Sequence, residues 1–146
     1  MYKITKDRIE ADCLFERVID PCHGAIGTFA GTVRAKTGDR ATTYLEYEAY
    51  PAMAEKKMTE IAEEAKSKWP IGEVAILHRI GRLEVGEISV LVAVGAGHRR
   101  EAMEACLYVI DRLKAVVPIW KKEYGPDGEF WVEGPSAEGC RIQNGA

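Results

Sequence analysis

The chain has four cysteines and none of the arrangements in which cysteine usually works. Cys13, Cys22, Cys106 and Cys140 form no C-x-x-C pair and match no zinc-ligand spacing. Neither a metal, a cofactor held by thiolates nor a disulfide framework is therefore implied. Long apolar runs are missing too: none approaches the roughly 18 residues that span a bilayer. The opening Met1-Tyr2-Lys3-Ile4-Thr5-Lys6 has no apolar stretch behind its charges. It does not read as a secretory signal, and a cytoplasmic location is the expectation. Excess positive charge is also lacking, since 20 Lys and Arg stand against 23 Asp and Glu, a net charge of −3. A duplex-binding domain is usually basic across a whole face, so nucleic acid is disfavoured. There is no G-x-x-x-x-G-K-[ST] loop, no G-x-G-x-x-G, no G-x-S-x-G and no H-E-x-x-H. Internal repeats, low-complexity segments and domain boundaries are absent as well. What is left is 146 residues, 47% of them hydrophobic, enough for one domain with a real core.

Against this acidic background one stretch is cationic. From Gly97 to Glu123 the chain carries His98, Arg99, Arg100, Arg112, Lys114, Lys121 and Lys122. The acids within it are Glu101, Glu104, Asp111 and the terminal Glu123. A local cationic cluster on an anionic chain suggests a pocket for a small anion rather than a polyanion track.

The elements read as follows. Tyr2 to Thr5 is a short edge strand. Ile9 to Ile19 carries Leu14, Phe15, Val18 and Ile19 as the stripe of a short amphipathic helix, stopped by Asp20-Pro21. Gly24 to Ala35 is a strand with glycines at close backbone approaches, followed by a turn at Lys36 to Asp39. Thr42 to Tyr50 alternates as a strand. Ala52 to Trp69 is a helix with Met58, Ile61, Ala62, Ala65 and Trp69 on one face, stopped by Pro70-Ile71-Gly72. Val74 to Ile80 and Ile88 to Val94 pair as a hairpin. Arg99 to Ala115 is a helix with Ala102, Cys106, Val109, Ile110 and Leu113 inward. Ile119 to Tyr124 and Glu129 to Glu133 are strands around the turn Gly125 to Gly128. Cys13 and Cys106 read as small core residues, while Cys140 sits in a loose tail from Gly134. The mixed order favours an α+β fold, helices packed on a mainly antiparallel sheet.

Several residues in this frame suit anion chemistry. Gly97-His98-Arg99-Arg100 lies where a strand ends and a helix begins. Free N–H groups there favour an anion, and a guanidinium adds a bidentate phosphate contact. Cations oppose the helix dipole at that end, so a solvated helix start explains them less well. Lys114 closes the same helix, where the dipole alone would favour it. Strand alternation puts Ile119 and Lys121 on one face and Trp120 and Lys122 on the other. Partial burial beside Ile119 would tune the Lys121 amine for proton transfer; a snorkelling surface lysine is the alternative. Arg34 ends the glycine-rich strand, and Phe29 is a core or interface ring. His78-Arg79 suits a satisfied histidine and an ion-paired arginine. Glu46 and Glu48 share a strand face and suit partners for arginines better than a catalytic pair. By themselves these residues reach only a small anionic, phosphorylated ligand with lysine-assisted chemistry.

In combination the segments G-A-I-G-T-F-A-G-T-V-R (24–34), L-E-Y-E-A-Y-P-A-M-A (45–54), H-R-I-G-R-L-E-V-G-E (78–87), G-H-R-R-E-A (97–102), D-R-L-K-A-V-V-P-I-W-K-K-E (111–123) and W-V-E (131–133) resemble the large subunit of molybdopterin synthase. The resemblance covers most of residues 1–133, read as one catalytic domain, with 134–146 as a tail. It implies an α/β hammerhead-type fold and a central homodimer, completed to a heterotetramer by a small ubiquitin-like sulfur-carrier subunit at each end. The carrier's C-terminal thiocarboxylate would donate sulfur to cyclic pyranopterin monophosphate, giving the molybdopterin dithiolene. No cofactor is implied. On the family's pattern Thr32, Val33 and Arg34 bind substrate, and His98 and Arg99 bind the pterin phosphate from the partner protomer. Lys114 and Lys121 are the functional lysines, and Lys122 and Glu123 complete the second motif. No functional residue matches in the tail, Arg141 included. Two rival readings differ in class: a non-catalytic dimeric scaffold binding the same ligands, and an RNA-binding domain using Arg112, Lys114, Lys121 and Lys122.

Overall fold

A computed structural model describes residues 1–132. Glu133, Cys140, Arg141 and the whole 134–146 tail lie outside the described residues.

The longest apolar runs build the centre. The strands β1 (Tyr2–Thr5), β2 (Ala25–Thr32), β6 (Ile71–Arg79) and β8 (Ile88–Ala96) form one sheet in the order β1-β6-β8-β2. Only β1 and β6 run parallel; the other neighbours are antiparallel. Both faces of this sheet are covered, which is why β6 and β8 are almost continuously apolar rather than alternating. Val74, Ile76, Val90, Val92 and Val94 point toward the helices α2 (Pro51–Lys68) and α3 (Arg99–Val116). Ala75, Leu77, Leu91 and Ala93 point the other way, onto Ile9, Leu14 and Val18.

Pro51 starts α2 at a position where its missing N–H costs nothing. Met58, Ile61, Ala62 and Ala65 are buried as their spacing predicts. Trp69 falls just past the helix end and donates its indole N–H to Glu104 at 3.1 Å. The inward face of α3 is Ala102, Cys106, Val109, Ile110 and Leu113, again as expected. This helix sits very close to β2: a Cβ on Gly27 would lie 2.4 Å from the Ala102 carbonyl oxygen. Gly27→Ala must push the helix away, and we expect a loss of about 2 kcal/mol in urea unfolding at fixed protein concentration. An unchanged midpoint would contradict this packing.

A second sheet carries the order β10-β9-β5-β7, from β5 (Tyr44–Ala49), β7 (Gly81–Glu84), β9 (Ile119–Gly125) and β10 (Gly128–Val132). The expected pairing of β6 with β8 is present, but the connection is not a simple hairpin. The chain leaves at Gly81, at φ +91°, runs β7 alongside β5, and returns through Gly86, at φ +89°. An Arg79–Glu87 ion pair ties the base of this excursion. The turn at Lys36 to Asp39 is the tip of a small hairpin, β3 (Lys36–Thr37) and β4 (Arg40–Ala41).

The helix expected over Ile9–Ile19 is a correction. Only α1 (Phe15–Val18) is helical, and Cys13, Phe15 and Arg17 each donate to the carbonyl three residues back. One turn is too short to persist by itself; it is held by Leu14 and Val18, each 1% exposed. Phe15 and Ile19 of the supposed stripe face outward. Cys13 is exposed rather than in the core, because the tight turns swing it out. Cys106 is buried, and burial pushes its thiol up to about 11.

Candidate active site

The two sheets diverge at the C-terminal end of α3 and leave a cavity of about 500 Å³. Several stretches of chain converge on it. The end of β2 brings Thr32, Val33 and Arg34, which all line the cavity. A register shift between Gly31 and Thr32 loosens the β2 ladder there. The chain is then re-anchored by the Val33 amide donating to the Glu87 carbonyl at 3.0 Å. The Val33 side chain turns inward to pack with Leu45 and Leu83, while Arg34 remains exposed. The last turn of α3 brings Lys114, where the helix dipole favours a cation. Val117 and Pro118 then redirect the chain into β9.

On β9 the alternation read from the sequence is the one observed. Ile119, Lys121 and Glu123 face the cavity. Trp120 and Lys122 face away, Trp120 meeting Tyr50 edge-on at 5.8 Å. Lys122 pairs with Glu129 at 2.8 Å and lies over the Tyr124 and Trp131 rings. The structure therefore does not bring Lys122 to the cavity with Lys121, although both belong to one motif.

Lys121 is a quarter exposed, and its ammonium is 3.2 Å from one oxygen of Glu123. The Glu123 side chain is 5% exposed, and its other oxygen accepts from Arg40 at 2.5 Å. Burial pushes the Glu123 carboxyl up, but the Arg40 hydrogen bond and the Lys121 charge outweigh it, so it lies below the usual carboxylate range. The stability this carboxylate contributes is present at neutral pH and is lost as pH falls through its lowered value.

His78 reaches the same cavity from the end of β6 and is 5% exposed. Its Nδ1 lies 2.8 Å from the Arg79 carbonyl oxygen, which can only accept, so the proton sits on Nδ1. Burial, opposed by that hydrogen bond and reinforced by the Lys114 charge, lowers its pKa to about 4. It is a neutral imidazole at physiological pH, in edge contact with Tyr47 at 4.9 Å. Arg79 is ion-paired as expected, but nothing in the apolar run around His78 marks it as bordering a ligand space. Phe29 packs on the main core and also lines the cavity. Glu46 faces Arg82 across the β5–β7 ladder and accepts from Tyr124, in keeping with a partner's role.

His98 and Arg99 lie at the opposite end of α3 from Lys114, about 22 Å along the helix axis at 1.5 Å per residue. They are exposed and do not line the cavity of their own chain. Among the described residues no group of three or more His, Cys, Asp or Glu is placed to hold a metal ion. No helix there is long and apolar enough to cross a membrane.

The family model described as "MoaE protein" matches residues 4–116. The chain belongs to the MoaE protein family. A molybdopterin synthase catalytic subunit of Halalkalibacterium halodurans is 49% identical over 131 residues, covering 90% of this chain and 84% of that one. The crystal structure of molybdopterin synthase from Staphylococcus aureus superposes with a TM-score of 0.86 at 45% identity, covering 89% of this chain and 95% of that one. A complex of subunits 1 and 2 of molybdopterin-converting factor from Helicobacter pylori matches with a TM-score of 0.72, covering 88% of each chain; at 22% identity it speaks for the fold alone. The α+β class of this MoaE chain agrees with these structures.

Proposed function

We propose that this chain is the catalytic subunit of a molybdopterin synthase and that the cavity beneath α3 is its sulfur-transfer site. The convergence of Arg34, Lys114 and Lys121, from three separate stretches of chain, on one cavity carries this reading. Cations gathered in a partly enclosed space suit a phosphorylated substrate and the anion that develops as it reacts. A small ubiquitin-like carrier inserts its C-terminal thiocarboxylate, and cyclic pyranopterin monophosphate binds beside it. The sulfur attacks a carbon of the pterin side chain, and the departing oxygen takes a proton from the Lys121 ammonium. Water then cleaves the thioester, releasing the carrier as a carboxylate and leaving sulfur on the pterin. A second carrier supplies the second sulfur, giving the dithiolene. Lys114, with Thr32, Val33 and Arg34, orients the substrate.

His98 and Arg99 enter this scheme from the partner protomer of a homodimer, holding the pterin phosphate across the interface. Two carriers complete the heterotetramer. Residues 1–133 act as one catalytic domain, and the setting is the cytoplasm. Purified protein mixed with thiocarboxylated carrier and cyclic pyranopterin monophosphate should yield dithiolene, detected as its oxidised fluorescent derivative. Carrier binding without product would favour the scaffold reading.

RNA binding would need free aromatic rings on an exposed sheet face. Arg82, Tyr44, Tyr124, Lys122 and Trp131 form a cation–aromatic row on the second sheet. The Tyr44 and Tyr124 rings already stack on each other, with centroids 4.5 Å apart, and are capped by the chain's own cations. A gel shift with single-stranded RNA should show no complex at moderate salt.

A further inference from the structure

Arg40 belongs to no motif singled out in the sequence, yet it holds the carboxylate beside Lys121. It lies on β4, in the hairpin that forms one wall of the cavity through Thr37. That hairpin turns at Gly38, φ +60°, is closed at its base by one backbone hydrogen bond and is docked on β9 by another. The Thr42 amide donates to the Ala35 carbonyl at 2.9 Å, and the Thr43 amide donates to the Tyr124 carbonyl at 2.7 Å. Close approach to the end of β9 demands Gly125, where a Cβ would lie 2.1 Å from the Ala41 carbonyl oxygen. From this docked position the Arg40 guanidinium lies over the Phe130 ring, 4.5 Å from its centroid, and donates to Glu123.

The Glu123 carboxylate is thus divided between two cations: one oxygen for Lys121, the other for Arg40. We infer that Arg40 is a positioning residue for sulfur transfer, holding one oxygen of Glu123 so that Lys121 is oriented by the carboxylate but not captured by it. Without Arg40 a buried carboxylate oxygen loses its donor. The carboxylate then turns both oxygens to the Lys121 ammonium and draws it off the substrate. The charged and titratable groups around Glu123 are Lys121 on its own strand, Arg40 from β4, Tyr47 from β5, His78 from β6, Lys114 from α3 and Arg34 after β2. Only Arg40 and Lys121 make ion pairs with it among the described residues.

This inference rests on the sulfur-transfer reading, and its test separates the two. Arg40→Ala and Arg40→Lys are compared with the unaltered protein in the reconstituted assay across pH. The Glu123 carboxyl is titrated in parallel by carbon-13 NMR, a readout independent of turnover. For Arg40→Ala we expect kcat to fall about tenfold, with KM for the pterin within about twofold. The acidic limb of the pH profile and the NMR midpoint of Glu123 should both rise by about one pH unit. Arg40→Lys should restore most of both. An unchanged pH profile and midpoint in Arg40→Ala would overturn the inference, as would a loss of activity that Arg40→Lys does not repair. Absence of turnover in the unaltered protein would instead strike the sulfur-transfer reading, and the NMR midpoint would still decide whether Arg40 governs Glu123.

Discussion

Lys121→Ala is expected to cut dithiolene formation at least about a thousandfold while leaving the protein folded, because both proton delivery and charge stabilisation are lost. Lys121 is the cation that β9 turns toward the cavity, and Lys122 next to it faces the opposite side of the sheet. No neighbour on the strand can replace it. The fold should survive because Glu123 keeps its ion pair with Arg40 when the lysine is removed, so no buried charge is stranded. Lys121→Arg separates the two contributions. It retains a positive charge, but a guanidinium does not give up its proton in this range, so substrate binding should recover while turnover does not. Single-turnover fluorescence of the oxidised product, with a thermal melt as the folding control, measures both. Near-normal turnover in Lys121→Ala would move the chemistry away from β9.

The second large effect concerns the dimer. Neither Lys121→Ala nor Arg99→Ala homodimers should turn over, yet mixed dimers of the two, purified on two tags, should regain about half of the normal activity. Arg99 and Lys114 are at opposite ends of α3, so one chain cannot bring Arg99 to its own Lys121. If Arg99 serves the partner's cavity, a mixed dimer contains one site with both residues intact and one with neither. If it serves its own cavity, every site in the mixed dimer is defective and activity stays absent; if it serves none, the Arg99→Ala homodimer itself turns over. Recombined mixtures of each variant with itself provide the baseline.

Much of this arrangement is legible in the sequence. The 3.6-residue spacing in 52–69 and 99–115 marked both long helices, because each buries one apolar stripe on the sheet. The period of two set Ile119 and Lys121 on one face of β9 and Trp120 and Lys122 on the other, and the first of these faces meets the cavity. Long-range partnerships were less accessible. Arg40 and Glu123 are 83 residues apart, and nothing local to either predicts that they meet. The β7 excursion was hidden because its glycines read equally well as an ordinary hairpin turn. The stripe of Leu14, Phe15, Val18 and Ile19 overstated a helix, since two anchors suffice to pin a single turn and the other two side chains remain in solvent. His78 sat in an apolar run and read as core; it is buried, but its place at the strand end also opens it to the cavity.

The proposed reaction moves sulfur from a carrier's thiocarboxylate to a pterin within the cavity at the C-terminal end of α3. Its most direct test is a single-turnover reaction with thiocarboxylated carrier and cyclic pyranopterin monophosphate. Mass spectrometry follows the carrier, and fluorescence follows the oxidised product. Two carriers should lose sulfur for each dithiolene formed, and Lys121→Ala should stop both sulfur loss and dithiolene formation. A carrier that binds tightly yet keeps its thiocarboxylate, with no dithiolene formed, would contradict it.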